Sequence, residues 1–254
     1  MNYLLPIILS FIAGSATGIG GLLVLILGDV NDRVVGFFMG FAGGVMLIVS
    51  FLHLYNEALN IISTLSTVIA FAVGTFVMMA MDLTLPHIEL GFWEEGVIDK
   101  DLFNRGVIIA LGMSLHNLPE GIVISTGYTH VPELGVLVAI MICLHNIPEG
   151  IATVTPLLRA GANKWRALGL AVLSGIVEPI GAIIGIVVIQ ALGGGNTIIG
   201  WGLAFAAGVM TYVTIDELIP VAHQYCNLPQ KHVISTGLLL GMLFAQILSL
   251  IIVV

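Results

Sequence analysis

The chain reads as an all-α membrane protein with eight transmembrane helices, and three observations predict this. Its 254 residues are 58% hydrophobic and only 9% charged, whereas a soluble domain is roughly 25% charged. The apolar residues gather into eight runs, each close to the ~20 residues that a membrane helix needs. All seven Lys and Arg residues fall in alternate connections between those runs. The remaining composition excludes other classes. A formal charge of −8 without a basic stripe is no nucleic-acid signal. Cys143 and Cys226 form no disulfide framework; the first is expected buried in a helix and the second in a short loop. The first apolar run starts at Tyr3 without a basic segment before it and is long enough to span, so it reads as a helix that stays.

The spans are expected at about 4–27, 34–56, 62–84, 105–127, 134–156, 166–191, 197–220 and 232–254. Arg33 separates spans 1 and 2. Lys100 and Arg105 lie between spans 3 and 4, Arg159, Lys164 and Arg166 between spans 5 and 6, and Lys231 between spans 7 and 8. Positive loops stay cytoplasmic. Both termini are therefore expected outside, and the acidic 85–104 connection (Glu89, Glu94, Glu95, Asp99, Asp101) inside. An odd number of spans would break this segregation. The 31 glycines mostly let helices approach closely and need no ligand.

A faint repeat runs through the chain. Gly44-Val45-Met46 in span 2 recurs as Gly208-Val209-Met210 in span 7, with Phe41-Ala42-Gly43 resembling Phe205-Ala206-Ala207 and Ser50 opposite Thr214. Spans 2 and 7 cross the membrane in opposite directions. Spans 1–3 and 6–8 would then form an inverted repeat around spans 4 and 5, an arrangement that puts a substrate site near the midplane.

A second repeat carries the chemistry. His116-Asn117-Leu118-Pro119-Glu120-Gly121 in span 4 returns as His145-Asn146-Ile147-Pro148-Glu149-Gly150 in span 5. Ionisable groups at membrane depth are costly and mark function. At about 100° per residue, the glutamate lies between the histidine and the asparagine on the helix surface. It can therefore share one metal ion with the histidine and another with the asparagine. Two facing copies predict one cluster of His116, Glu120, His145 and Glu149, and a second of Asn117, Glu120, Asn146 and Glu149, bridged by carboxylates. Pro119 and Pro148 free the carbonyls of Leu115 and Leu144, and loosened backbone is tolerated where it lines a cavity. Glu178, mid-span in span 6 and followed by Pro179, is the best candidate for a further ligand. Imidazole with carboxylate suits Zn, Fe, Mn, Ni and Co. The motif has no thiolate, which fits an ion that must leave as well as bind.

Other polar residues mark candidate vestibules. His53 and Glu57 lie four apart near the outer end of span 2. Asp82 lies near the inner end of span 3, and Asp216 and Glu217 near that of span 7, with His223 just beyond. His87, His130 and His232 read as surface residues, and Trp93, Trp165 and Trp201 as interfacial anchors.

The paired His-Asn-X-Pro-Glu-Gly frame in the fourth and fifth of eight spans resembles the ZIP family of divalent-metal transporters, and the likeness covers nearly the whole chain. The resemblance implies a multi-pass protein of the cell (plasma or inner) membrane. It implies uptake of Zn²⁺ toward the cytoplasm, with Fe²⁺, Mn²⁺, Co²⁺ and Cd²⁺ as further cargo and no resident cofactor. It implies a two-metal site at His116, Asn117, Glu120, His145, Asn146, Glu149 and Glu178. Its partners are then metal ions and the lipid bilayer, with a homodimer as the common assembly, and spans 1, 4, 5 and 6 move against 2, 3, 7 and 8. The connection between spans 3 and 4 departs from the histidine-rich loop of many members, since it holds only His87. Metal sensing by that loop is not expected. The compact form looks like the prokaryotic members. An intramembrane metal-dependent hydrolase is the alternative, because two bridged metals can activate water. Against it, no His-Glu-X-X-His frame occurs. A proton path remains open as a coupled function.

Overall fold

The structure is a computed structural model that describes residues 3–28, 30–84, 96–226 and 231–252. It is all-helical among these residues. Eight helices are long and apolar enough to cross a membrane. Span 1 is Leu4–Leu27, span 2 Asp32–Ile61, span 3 Thr64–Asp82 and span 4 Lys100–His130. Span 5 is Pro132–Arg159, span 6 Lys164–Ala191, span 7 Asn196–Tyr225 and span 8 Lys231–Ile252.

Spans 2, 4 and 7 run further than their apolar stretches suggest, because their polar ends keep the helical hydrogen bonds after the hydrophobic run stops. Lys100 and Arg105 therefore stand in the first turns of span 4 rather than in a loop. The part of the acidic connection that carries Glu89, Glu94, Glu95, His87 and Trp93 lies outside the described residues. Cys143 is half-buried and Cys226 is buried just past span 7, both as free thiols.

Local chemistry sets several ends. The side chains of Asn31, Ser63, Asp99 and Asn163 accept backbone N–H bonds at the starts of spans 2, 3, 4 and 6, satisfying donors that a first turn leaves free. Pro132 opens span 5, where a missing N–H costs nothing. Gly161, at φ 89°, makes the tight turn into span 6. On the same side, Arg159 reaches Asp32 at 2.7 Å and donates to the Val30 carbonyl at 2.9 Å, tying the span 1–2 connection to the end of span 5.

The spans pack as two groups. Spans 4 and 6, 1 and 5, 1 and 6, and 4 and 5 lie together; spans 2 and 8 and spans 3 and 7 form the other group. Between the groups, span 2 meets span 5 and span 7 meets span 4. The interior holds Met39, Met46, Met141, Leu137, Leu203 and Met210, all buried. Large apolar side chains such as Ile12, Phe76, Leu173 and Leu243 stand exposed on the outside, as a bilayer-facing surface requires.

The close contacts come in matched pairs. Gly121 lies against the Glu178 carbonyl and the Ala182 nitrogen, and Gly150 against the Thr17 carbonyl and the Gly21 nitrogen. Gly181 abuts the Leu118 carbonyl and Gly20 the Ile147 carbonyl. Gly44 abuts Leu238 and Met242 of span 8, and Gly208 abuts Phe71 and Thr75 of span 3. Gly14 and Gly175 press on each other. Each pair relates span 1 to 6, 2 to 7, 3 to 8 and 4 to 5 with one constant offset per pair of spans. Both members of the 2–7 pair contain a widened π-helical turn, at Val49–Tyr55 and Thr214–Leu218. Ser50 and Thr214 both donate to the carbonyl four residues earlier at 2.8 Å.

Candidate metal centre

The two motifs face each other, and each histidine meets the other motif's glutamate. His145 Nε2 lies 2.9 Å from Glu120 Oε1, and His116 Nε2 lies 3.3 Å from Glu149 Oε1. All four side chains are buried. Glu120, His145 and Glu149 offer ligand atoms that lie within 4.8 Å of one another. Pro119 and Pro148 sit inside uninterrupted helices one residue before each glutamate. Each lacks the N–H that would bond four residues back. The glycine after each glutamate is where the neighbouring backbone crosses, so it sets how closely spans 6 and 1 approach the motifs.

The asparagines are held by their amide nitrogens. Asn117 Nδ2 donates to the Ser174 carbonyl at 2.9 Å and Asn146 Nδ2 to the Ala13 carbonyl at 3.0 Å. Asn146 Nδ2 also donates to Glu178 Oε1, which brings span 6 into the centre. With the nitrogens committed, the Oδ1 atoms are left for another use. Both are buried without a hydrogen-bond partner.

The same is true of much of the centre. Among the described residues, the buried polar atoms without a hydrogen bond include His116 Nε2, Glu120 Oε2, His145 Nδ1, both Glu149 oxygens, Glu178 Oε2 and Glu217 Oε1. His116 Nε2 and Glu149 Oε1 are near enough for an ion pair but outside hydrogen-bond geometry. Buried polar atoms are ordinarily bonded, and each exception costs about 1–3 kcal/mol. Such a concentration of lone pairs suits a cation. Two imidazoles, three carboxyls and two amide oxygens, without thiolate, suit Zn²⁺ and similar ions.

The vestibule residues distribute differently from the sequence expectation. Glu217 reaches the centre itself, with Oε2 at 3.2 Å from His116 Nδ1. The π turn at Thr214–Leu218 adds a residue and changes the face that Glu217 presents. Its neighbour Asp216 is exposed. Asp82 accepts from the Tyr212 hydroxyl at 3.1 Å. His223 is exposed, with its ring nitrogen 2.8 Å from the Ile219 carbonyl.

At the other end, His53 and Glu57 part company. His53 Nε2 lies 2.7 Å from Ser249 Oγ of span 8. Glu57 Oε1 lies 2.7 Å from His130 Nε2 at the end of span 4. His130 is thus a partly buried partner of Glu57, not a free surface residue. The only sequence signal for this is its place at the last turn of a motif helix, level with Glu57. His232 is exposed. Trp165 is exposed with Lys164 Nζ 5.5 Å from its ring centre.

Comparison with known proteins identifies the family. Residues 94–249 match the family described as ZIP Zinc transporter. The chain is 39% identical to the zinc transporter ZupT of Chlorobaculum parvum, over 92% of each chain. It is 36% identical to the ZupT of Chlorobium phaeovibrioides, over 95% of this chain and 96% of that one. Identity to the ZupT of Oceanobacillus iheyensis is 33%, over 95% of both.

Proposed function

The chain belongs to the ZIP zinc transporter family, and we propose that it carries Zn²⁺ toward the cytoplasm through a two-ion site between spans 4, 5 and 6. It is a multi-pass membrane transporter of metal ions, not an enzyme. The observation that carries the reading is the cross-wired pair of motifs, buried amid unpartnered lone pairs. One ion lies among His116, Glu120, His145 and Glu149. The second lies among Asn117, Asn146, Glu178 and the two bridging carboxyls. Neutral donors and exchangeable carboxyls let the ion leave again.

The ion enters from the outer side past Glu57 and His130 and sheds part of its water. Glu217 receives it from His116, and Asp82, Asp216 and His223 line the way out. The matched contacts support an inverted repeat of spans 1–3 and 6–8 around spans 4 and 5. The two packing groups supply bodies that move against each other, so that the centre opens to one side at a time. Lys and Arg segregation supports termini outside, in the cell (plasma or inner) membrane. Fe²⁺, Mn²⁺, Co²⁺ and Cd²⁺ share the ligand preferences and are proposed as further cargo. A homodimer rests on the family likeness alone.

The test is Zn²⁺ uptake into proteoliposomes by the wild type and by a His116→Ala/His145→Ala double variant. Saturable uptake by the first and none by the second supports the assignment. Equal uptake, or none by a well-folded wild type, rejects it.

A further inference from the structure

The matched contacts put Thr17 of span 1 in the place that Glu178 holds in span 6. The carbonyl of Thr17 crosses Gly150 as that of Glu178 crosses Gly121. Gly20 and Gly181, each three residues on, cross the two motifs at Ile147 and Leu118. The amide bond from Asn146 to the Ala13 carbonyl matches the one from Asn117 to the Ser174 carbonyl.

The direction of the Thr17 side chain follows from its neighbours. Gly14 faces span 6 at Gly175, and Gly20 faces span 5 at Ile147. At about 100° per residue, Thr17 lies midway between those two faces. The residue therefore lies on the face of span 1 that fills the wedge between spans 5 and 6.

In the half that carries Glu178, Asn146 meets the glutamate by a hydrogen bond. By the same match, the positions equivalent to Asn146 and Glu178 in the other half are Asn117 and Thr17. There both oxygens are left over: Asn117 Oδ1 and Thr17 Oγ1 are buried without a partner. Ser10 and Thr153 are the other buried hydroxyls without a partner among the described residues. Ser50, Thr155, Thr211 and Thr214 all donate to the carbonyl four residues back. Thr17 does not, and the carbonyl it would use, that of Ala13, is taken by Asn146.

We propose that the Thr17 hydroxyl oxygen is a donor to the transported divalent cation, on the side of the second ion opposite Glu178. This rests on the two-ion reading above. The symmetric positions then offer one carboxyl and one neutral hydroxyl. The second ion is held by an oxygen-rich shell with one acidic group fewer than full symmetry would give, which favours release.

The experiment uses purified full-length protein with Zn²⁺ as the probe. Thr17→Val removes the hydroxyl at nearly constant shape, Thr17→Ser restores it, and Glu120→Gln serves as the control for the centre. Two quantities are read: zinc-dependent thermal stabilisation, and KM for Zn²⁺ uptake in proteoliposomes. Without metal, Thr17→Val should melt no lower than wild type, because an unpartnered buried hydroxyl has gone. With metal, its apparent affinity and KM should worsen about three- to tenfold, the effect of one neutral polar contact. Thr17→Ser should return to wild-type values. Should Thr17→Val fail to fold, Thr17→Ala carries the same expectation. Wild-type affinity and KM in the hydroxyl-free variant, with Glu120→Gln inactive, overturn the role of Thr17 and leave the two-ion reading standing. Wild-type uptake by Glu120→Gln overturns the two-ion reading itself.

Discussion

Replacing Glu149 by glutamine should make the metal-free protein more stable and the zinc-bound one less so. Both Glu149 oxygens are buried and neither makes a hydrogen bond. An unsatisfied buried polar atom costs about 1–3 kcal/mol. Glutamine keeps the shape and puts no charge into the buried site. The metal-free variant should therefore gain on the order of 1–3 kcal/mol. At about 2–4 °C per kcal/mol for a chain of this size, the melting temperature rises by roughly 2–12 °C. Zinc should act the other way. At a concentration of ~100 Kd, a ligand stabilises its protein by about 2.7 kcal/mol. Wild type should show most of that shift and Glu149→Gln almost none. The assay is thermal unfolding in detergent with chelator and with a zinc titration. A metal-free variant that melts below wild type, or one that zinc protects fully, would refute the reasoning.

Other outcomes follow from single contacts. Gly121→Ala drives a methyl group into the Glu178 backbone and should cost about 1–3 kcal/mol by overpacking. Gly169→Ala, with nothing near its added carbon, should be silent in the same melt. Glu217→Gln should slow maximal zinc uptake about tenfold, as loss of a charged contact does, with KM little changed, because Glu217 touches His116 alone among the motif side chains. Orientation is tested by labelling with an impermeant maleimide after replacing Cys143 and Cys226. A cysteine at Gly195 should react in intact cells, and one at Asp101 only after permeabilisation.

The sequence made the spans and the facing pair of motifs legible because both rest on strong local signals. Apolar runs mark helices, and a histidine four residues before a glutamate marks one helix face. Span ends were blurred where polar residues stay helical, as with Lys100 and Glu57. The roles of Glu217 and His130 were hidden for a different reason. Glu217 reaches His116 from another span through a π turn that no spacing rule signals. His53 and Glu57 share a helix face by count, yet each turns to a different neighbour, Ser249 and His130. The significance of Thr17 lies in a bond it does not make and in its match to Glu178, and both require the packed helices.

If the paired frames hold the cargo between spans 4, 5 and 6, bound ions are visible there. The most direct test is anomalous scattering at the zinc edge from crystals grown with Zn²⁺. Two peaks are predicted: one among His116, Glu120, His145 and Glu149, the other toward Asn117, Asn146 and Glu178. Peaks confined to the loops, with none between the motifs, would contradict the account.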